Sequence, residues 1–549
     1  MNIYDQVKVL YDAGLYDDLK MTCGLVLTMS EHNTELLTVS QKYQITVFYG
    51  NSLFHQREYK LAEVAFRKAL HLKKLINKTK GKGSQPLEVF PDVDVKYKLY
   101  RCYMHFKQYR DAISVLEGIS SRQRTAKINK ALGQLYQKTG NDRSAITCFK
   151  EVLRECPLSL EAVKGLLSLG VKASEAISLI SAGTSALGSA EWLQSWIKGQ
   201  AFISSREYGS AIACYSLLDA KSPLRDNVNI LCNLGEAHLL NGDYNAAKLV
   251  LQRAHALEPL QLRKMDMLAG ILAKDKEVKE LENLSSHLIA VNDQAPEPWI
   301  ALGFFCMATR KTTRAVYFAQ KAFTLDNSNE QALLLKGHGL LELKRTQEAI
   351  LHFREALKLT PYRYEVHKGL VESYVSCFRV REAITYAANA LKQLGTSARS
   401  LTLYASVLAK EQTTVEKAKT YLEKAMRLDP TYLEAVYVMA DILSTQQQCD
   451  AGIALLRKQL RMQSTCNLHL MLGNFLTQTN EHQEALDQYS IALSLDPNNA
   501  QAKDGIEKVE KRCDMAMENT YDMEIEDLSE NEDALDRSDV DSAWSDTDL

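Results

Sequence analysis

The chain has 549 residues, 46% hydrophobic and 24% charged, with only 10 Pro and 25 Gly, which excludes both a chain too polar to fold and an all-β protein built on tight turns. No apolar run approaches the ~18 residues of a membrane span, the opening Met1-Asn2-Ile3-Tyr4-Asp5-Gln6 does not read as a signal peptide, and the 11 Cys show no C-x-x-C pair, so reduced thiols are expected. The net charge of −2 hides an asymmetry, because Asp514–Leu549 holds 14 Asp or Glu against one basic residue, Arg537, a balance of −13 that leaves +11 on the body. That surplus forms no dense basic face with aromatics, so neither nucleic acid nor membrane is an expected partner.

Taken in chain order, repeats of about 34 residues start near 5, 43, 93, 126, 160, 192, 228, 262, 296, 330, 364, 399, 433 and 466. The basic run Lys78-Thr79-Lys80-Gly81-Lys82 falls in a Gly/Ser/Pro-containing stretch, 76–92, that reads as an inserted, solvated loop. The unit is plainest between Gln331 and Pro361, where Gly337, Ala349, Phe353, Ala356 and Pro361 fall at positions 8, 20, 24, 27 and 32. Gly473, Ala485, Tyr489, Ala492 and Pro497 repeat those offsets. This is the tetratricopeptide pattern. The small residue at 8 lets helix B approach helix A, and Ala at 20 does the same from the other side. That Ala recurs as Ala62, Ala112, Ala145, Ala211, Ala247, Ala315, Ala349, Ala383, Ala418 and Ala485. The aromatic near 24 fills the space they leave, and Pro at 32 stops helix B. The expected fold is all-α: a right-handed α-solenoid of about fourteen tetratricopeptide helix pairs, without sheet. N-terminal repeats span 1–160, the main stack 161–498 and a closing helix 499–513.

The acidic segment 514–549 lacks apolar periodicity and is expected to be disordered. Ser529, Ser538 and Ser545 each have an acidic residue three positions later (Glu532, Asp541, Asp548), the context acid-directed kinases prefer. They are candidate phosphorylation sites, against the plainer reading of a solubilising end.

No phosphate-binding loop, nucleophile elbow, H-E-x-x-H or dinucleotide fingerprint occurs, so no catalytic residue, metal ligand or cofactor is expected. His338, His352 and His367 come from successive helices without a carboxylate or Cys at ligand spacing, so packing or surface roles are expected for them. Solenoids of this kind hold other proteins along the wall of their A helices. Positions 2, 5, 9 and 12 of helix A nominate Ile300, Phe304, Met307, Leu334, His338, Leu341, Lys368 and Glu372, continued by Tyr437, Asp441, Leu470 and Asn474. Core packing is the competing role for Phe304 and Met307. A chaperone-type carboxylate clamp needs Lys at 5 with Asn at 9, whereas here Lys368 goes with Glu372 and Asn474 with Leu470.

Several segments are not generic repeat sequence. They are Ile119-Ser120-Ser121-Arg122-Gln123-Arg124-Thr125, Leu224-Arg225-Asp226-Asn227-Val228 and Ala295-Pro296-Glu297-Pro298-Trp299. With Gln331–Pro361, Gly452–Arg457 and Glu484–Pro497, they make the chain resemble the seventh-subunit family of the anaphase-promoting complex (cyclosome) over nearly its whole length. The resemblance implies a non-catalytic scaffold in a cullin–RING ubiquitin ligase that directs cell-cycle regulators such as mitotic cyclins and securin to destruction. It further implies a homodimer through the repeats of 1–160, stacking with other tetratricopeptide subunits that support the coactivator, and nuclear residence with cytoplasmic access in mitosis. The competing reading is an unrelated repeat adaptor of the co-chaperone or cargo type that binds short peptides.

Overall fold

The computed structural model describes residues 2–33, 35–79, 90–183 and 191–511. Among these residues lie 28 α-helices in fourteen consecutive A–B pairs, from Ile3–Asp12 with Tyr16–His32 to Cys466–Gln478 with His482–Leu495. A further helix follows over 500–511, and no strand occurs among the described residues. The A helices begin at 3, 39, 92, 126, 160, 191, 228, 265, 296, 330, 364, 398, 433 and 466, so the repeat phase read from the sequence holds at every unit. The chain divides into two compact units, Met1–Glu258 and Pro259–Leu549.

Each pair is built by exchanging small residues for large ones. All ten alanines at position 20 are fully buried. Phe353, on the helix Thr346–Leu359, is likewise fully buried, and a Cβ on Gly337 would stand 2.6 Å from its ring. The next A helix, Tyr364–Ser376, closes on the opposite side, with Gly369 leaving only 2.4 Å between the ring and the place of its own missing Cβ. One ring therefore joins two repeats, and interior packing at this density leaves no void beside it.

The turns from A to B share one geometry, except the one after Ala398–Leu408, which runs through a short 3-10 helix at Gln412–Thr414. At Lys344 the chain takes φ 59°, the left-handed region. The Lys344 and Arg345 amides then donate to the carbonyls of Leu341 and Leu340, each at 2.9 Å, closing the helix end. Arg57, Lys107, Arg206, Lys276, Arg310, Phe378, Gln447 and Asn480 adopt the same conformation at the same place in their repeats. For a residue with a Cβ this costs about 1–2 kcal/mol, offset by the satisfied carbonyls.

The inserted segment is shorter than 76–92. The helix Tyr59–Thr79 continues into it because Ile76 still packs on the core, seven residues beyond the buried Ala69, and Asp92 already opens the helix Asp92–His105. Residues 80–89 lie outside the described residues, as does 512–549, the segment carrying Ser529, Ser538 and Ser545.

Candidate interaction surfaces

In unit 2 the nominated wall residues separate into two groups. Ile300 and Leu334 are buried in the core, and Leu470 is too. They are packing residues, because each A helix touches the neighbouring A helices as well as its own B helix, which narrows the free face. Phe304, Met307, His338 and Leu341 are half-buried, Phe304 with its ring tip 3.3 Å from the place of a Cβ on Gly270 and His338 edge-on to Phe353 at 5.2 Å between centroids. Lys368 and Glu372 reach solvent. The three histidines do not converge. His352 lies 3.7 Å from Glu355, and His367 Nε2 lies 2.8 Å from the Pro361 carbonyl. Among the described residues no group of three His, Cys, Asp or Glu is placed to hold a metal ion.

Lys368 and Glu372 belong to a larger ionic array along the first turns of successive A helices. Arg363, almost wholly buried, lies 3.0 Å from Glu330 and 3.3 Å from Glu365. Glu365 also takes Arg399 at 3.1 Å, whose guanidinium lies 4.2 Å over the Tyr364 ring. Lys368 stands 3.2 Å from Glu434, two repeats further on, and 4.0 Å from Glu372, while the Tyr432 hydroxyl donates to Glu434. Burial pulls the Lys368 ammonium down, but Glu434 outweighs it and the net shift is upward. Burial raises the Glu372 carboxyl. Burial, with Lys368 adding to it, pushes the His338 imidazole down to about 4, so it is neutral at physiological pH. Three cations and four carboxylates alternate here, so the array largely neutralises itself and every cation in it is engaged. Of its members, Glu330, Arg363, Glu365, Arg399 and Glu434 were not among the nominated residues. Their partners lie one or two repeats away, at 33, 34 and 66 residues, and helical spacing within one element does not reveal such pairs.

Unit 1 offers a surface of another kind. Met21, Leu25 and Met29 stand in one stripe on the helix Tyr16–His32, and Leu61 and Val64 project from Tyr59–Thr79; all five are more than half exposed. The two helices are tied side by side by Lys20–Glu58 at 2.6 Å and Lys68–Glu31 at 2.8 Å. A shallow pocket of about 360 Å³, lined by Tyr59, Leu61, His105 and Phe106 among others, adjoins them. The helix Tyr16–His32 buries Leu19, Cys23 and Val26 on its other side, so it is apolar on two faces. A surface helix of a globular protein needs only one such face.

The tetratricopeptide repeat pattern matches residues 126–157, 228–259, 330–363 and 398–432. Over 558 aligned residues the chain is 42% identical to anaphase-promoting complex subunit 7 of Homo sapiens, covering 100% of this chain and 99% of that one. The chain belongs to the anaphase-promoting complex subunit 7 family. The Arabidopsis thaliana subunit 7 is 28% identical over 92% of this chain and 94% of its own length. A solved structure, the crystal structure of the APC/C hetero-tetramer Cut9–Hcn1, covers 92% of this chain and 95% of its own with a TM-score of 0.56 at 15% identity. At that identity it bears on the fold alone: an all-α stack of tetratricopeptide pairs. In this chain the repeat register extends through the units near 5, 160 and 262 as well.

Proposed function

We propose that the chain is a non-catalytic scaffold subunit of the anaphase-promoting complex, the cullin–RING ubiquitin ligase that drives mitotic progression by marking cell-cycle regulators for destruction. The full-length relationship to subunit 7 carries this reading. The chain stacks with other tetratricopeptide subunits, supports the coactivator from its place in the assembly, and works in the nucleus with cytoplasmic access in mitosis. Its contribution is surface and spacing, and ubiquitin transfer happens elsewhere in the complex. The largely self-neutralised array around Lys368 and Glu434 fits a structural wall better than a reaction centre. It also speaks against the adaptor reading, since Lys368 is already held by Glu434 and is not free to clamp a peptide carboxylate.

The repeats of residues 1–160 form a homodimer, supported by the apolar stripe of Met21, Leu25, Met29, Leu61 and Val64. A two-fold contact uses the same patch on both copies. Sedimentation velocity of the full chain should give a dimer, and Met21→Glu with Leu25→Glu should give a folded monomer. A dimer that survives both charges would place the contact elsewhere, and a monomeric parent would remove it.

A further inference from the structure

Within unit 2 the two ends of the helix pairs carry opposite charge. Turns from a B helix to the next A helix hold Asp293, Asp326, Asp429 and Asp496, whereas turns from A to B hold Lys276, Arg310, Lys311 and Lys344. The left-handed conformation of Lys276, Arg310 and Lys344 places them at the helix ends, where they are exposed. Arg314 and Arg381, on the first turns of the following B helices, are exposed too. Among the described residues none of these six cations has an ion-pair partner, while their neighbours Arg345 and Arg379 are held by Glu348 and Glu382. The three repeats from Arg310 to Arg381 thus line one edge with unpaired positive charge, and Lys276 extends it although Asp275 and Glu277 flank it in its own turn. Further along, the next turn holds Lys410 beside Glu411, and the two after it, Gln446-Gln447-Gln448 and Thr479-Asn480-Glu481, hold no cation.

The chain leaves the stack at that same edge. The helix over 500–511 takes the place of an A helix, with Gly505 lying against the Tyr489 ring (2.7 Å to the place of its Cβ) as Gly369 lies against Phe353, and with Ala502 and Val509 buried. Its C-terminal end therefore falls where A helices give way to their turns. The residues that follow include the −13 segment Asp514–Leu549.

We propose that Asp514–Leu549 docks along the edge formed by Lys276, Arg310, Lys311, Arg314, Lys344 and Arg381 of its own chain. Length permits it. The 36 residues span at most about 120 Å extended, against roughly 70 Å for the seven helix-to-helix steps back to Lys276 at about 10 Å each. Tethering gives the segment an effective concentration on the order of millimolar, so a weak, purely ionic contact is populated. While docked, the segment screens this edge from any other acidic partner. The contact is salt-sensitive, because the screening length shrinks from about 8 Å at physiological salt to about 3 Å at 1 M.

Zero-length carbodiimide cross-linking of the full chain, read by mass spectrometry on ¹⁴N- and ¹⁵N-labelled protein mixed equally and taken through dissociation and reassociation so that copies exchange, tests this. The expected result is that carboxylates of 514–549 join Lys276, Lys311 and Lys344 within one isotope, with yields falling about tenfold between roughly 50 and 500 mM salt. Cross-links spread evenly over lysines of the whole surface, pairs of mixed isotope, or no links from the segment would each overturn the proposal. In Arg310→Glu/Lys311→Glu/Lys344→Glu, checked for helicity, links to Lys276 should drop as well; unchanged links would also overturn it.

Discussion

The ring of Phe353 stands where a Cβ on Gly337 would have to be, its Cζ 2.6 Å from that position. Because Gly369 blocks the other side at 2.4 Å, the ring has nowhere to retreat. Gly337→Ala should therefore destabilise unit 2 by about 1–3 kcal/mol, as overpacking does. Phe353→Ala alone should cost about 3–5 kcal/mol. The double substitution should cost less than the sum, with a coupling of roughly 1 kcal/mol or more. Denaturant unfolding of the four proteins measures it, and strict additivity would mean that ring and glycine do not share the space.

Arg363 and Lys368 test what burial does to an ion pair. Removing Arg363 takes from Glu330 the cation it pairs with and leaves Glu365 with Arg399 alone, in a site that Arg363 had filled almost out of reach of water. Arg363→Ala should cost about 3–5 kcal/mol. Lys368 and Glu434 are both more than a third exposed, so Lys368→Ala should cost about 1 kcal/mol or less. Equal losses in chemical unfolding would contradict this ordering.

His338 gives the protein a pH dependence of definite sign. Its folded value, about 4, lies below the unfolded 6.5, so between those values the unfolded chain binds the extra proton. The contribution is complete above pH 6.5 and is lost as pH falls towards 4. The thermal midpoint should thus fall from pH 7 to pH 5, and His338→Asn should flatten that fall. An identical slope in the variant would show that His338 is protonated in the native state.

The dimer contact is expected within the first compact unit. Residues 1–258 alone should sediment as a dimer, and the chain without residues 1–160 as a monomer. The reverse pattern would move the interface into unit 2.

The repeat frame was legible because it rests on local exchanges of size. The alanines at 20 and the pairing of Gly337 with Phe353 are fixed offsets within 34 residues, and each is buried as the offsets require. The wall was less legible. Ile300 and Leu334 occupy the expected helical face, yet contacts with neighbouring helices bury them. The Lys368–Glu434 bridge spans 66 residues, a separation set by how three repeats stack. A glycine marks the left-handed turn at Gly14, Gly140, Gly170 and Gly242, whereas nothing in an Arg or Lys announces a positive φ. The exposed face of Tyr16–His32 could have been read from apolar residues recurring on both sides of one helix, Met21, Leu25 and Met29 opposite Leu19, Cys23 and Val26.

The most direct test of the central claim is the company the chain keeps. The tagged, full-length protein should be recovered at native abundance from mitotic cells and its co-purifying proteins quantified absolutely by mass spectrometry. Membership of the anaphase-promoting complex predicts that the other tetratricopeptide subunits and the cullin and RING subunits return in fixed proportion to this chain, unchanged by washing at moderate salt. Recovery of chaperones or motor proteins in their place, with the ligase subunits at background, would contradict it.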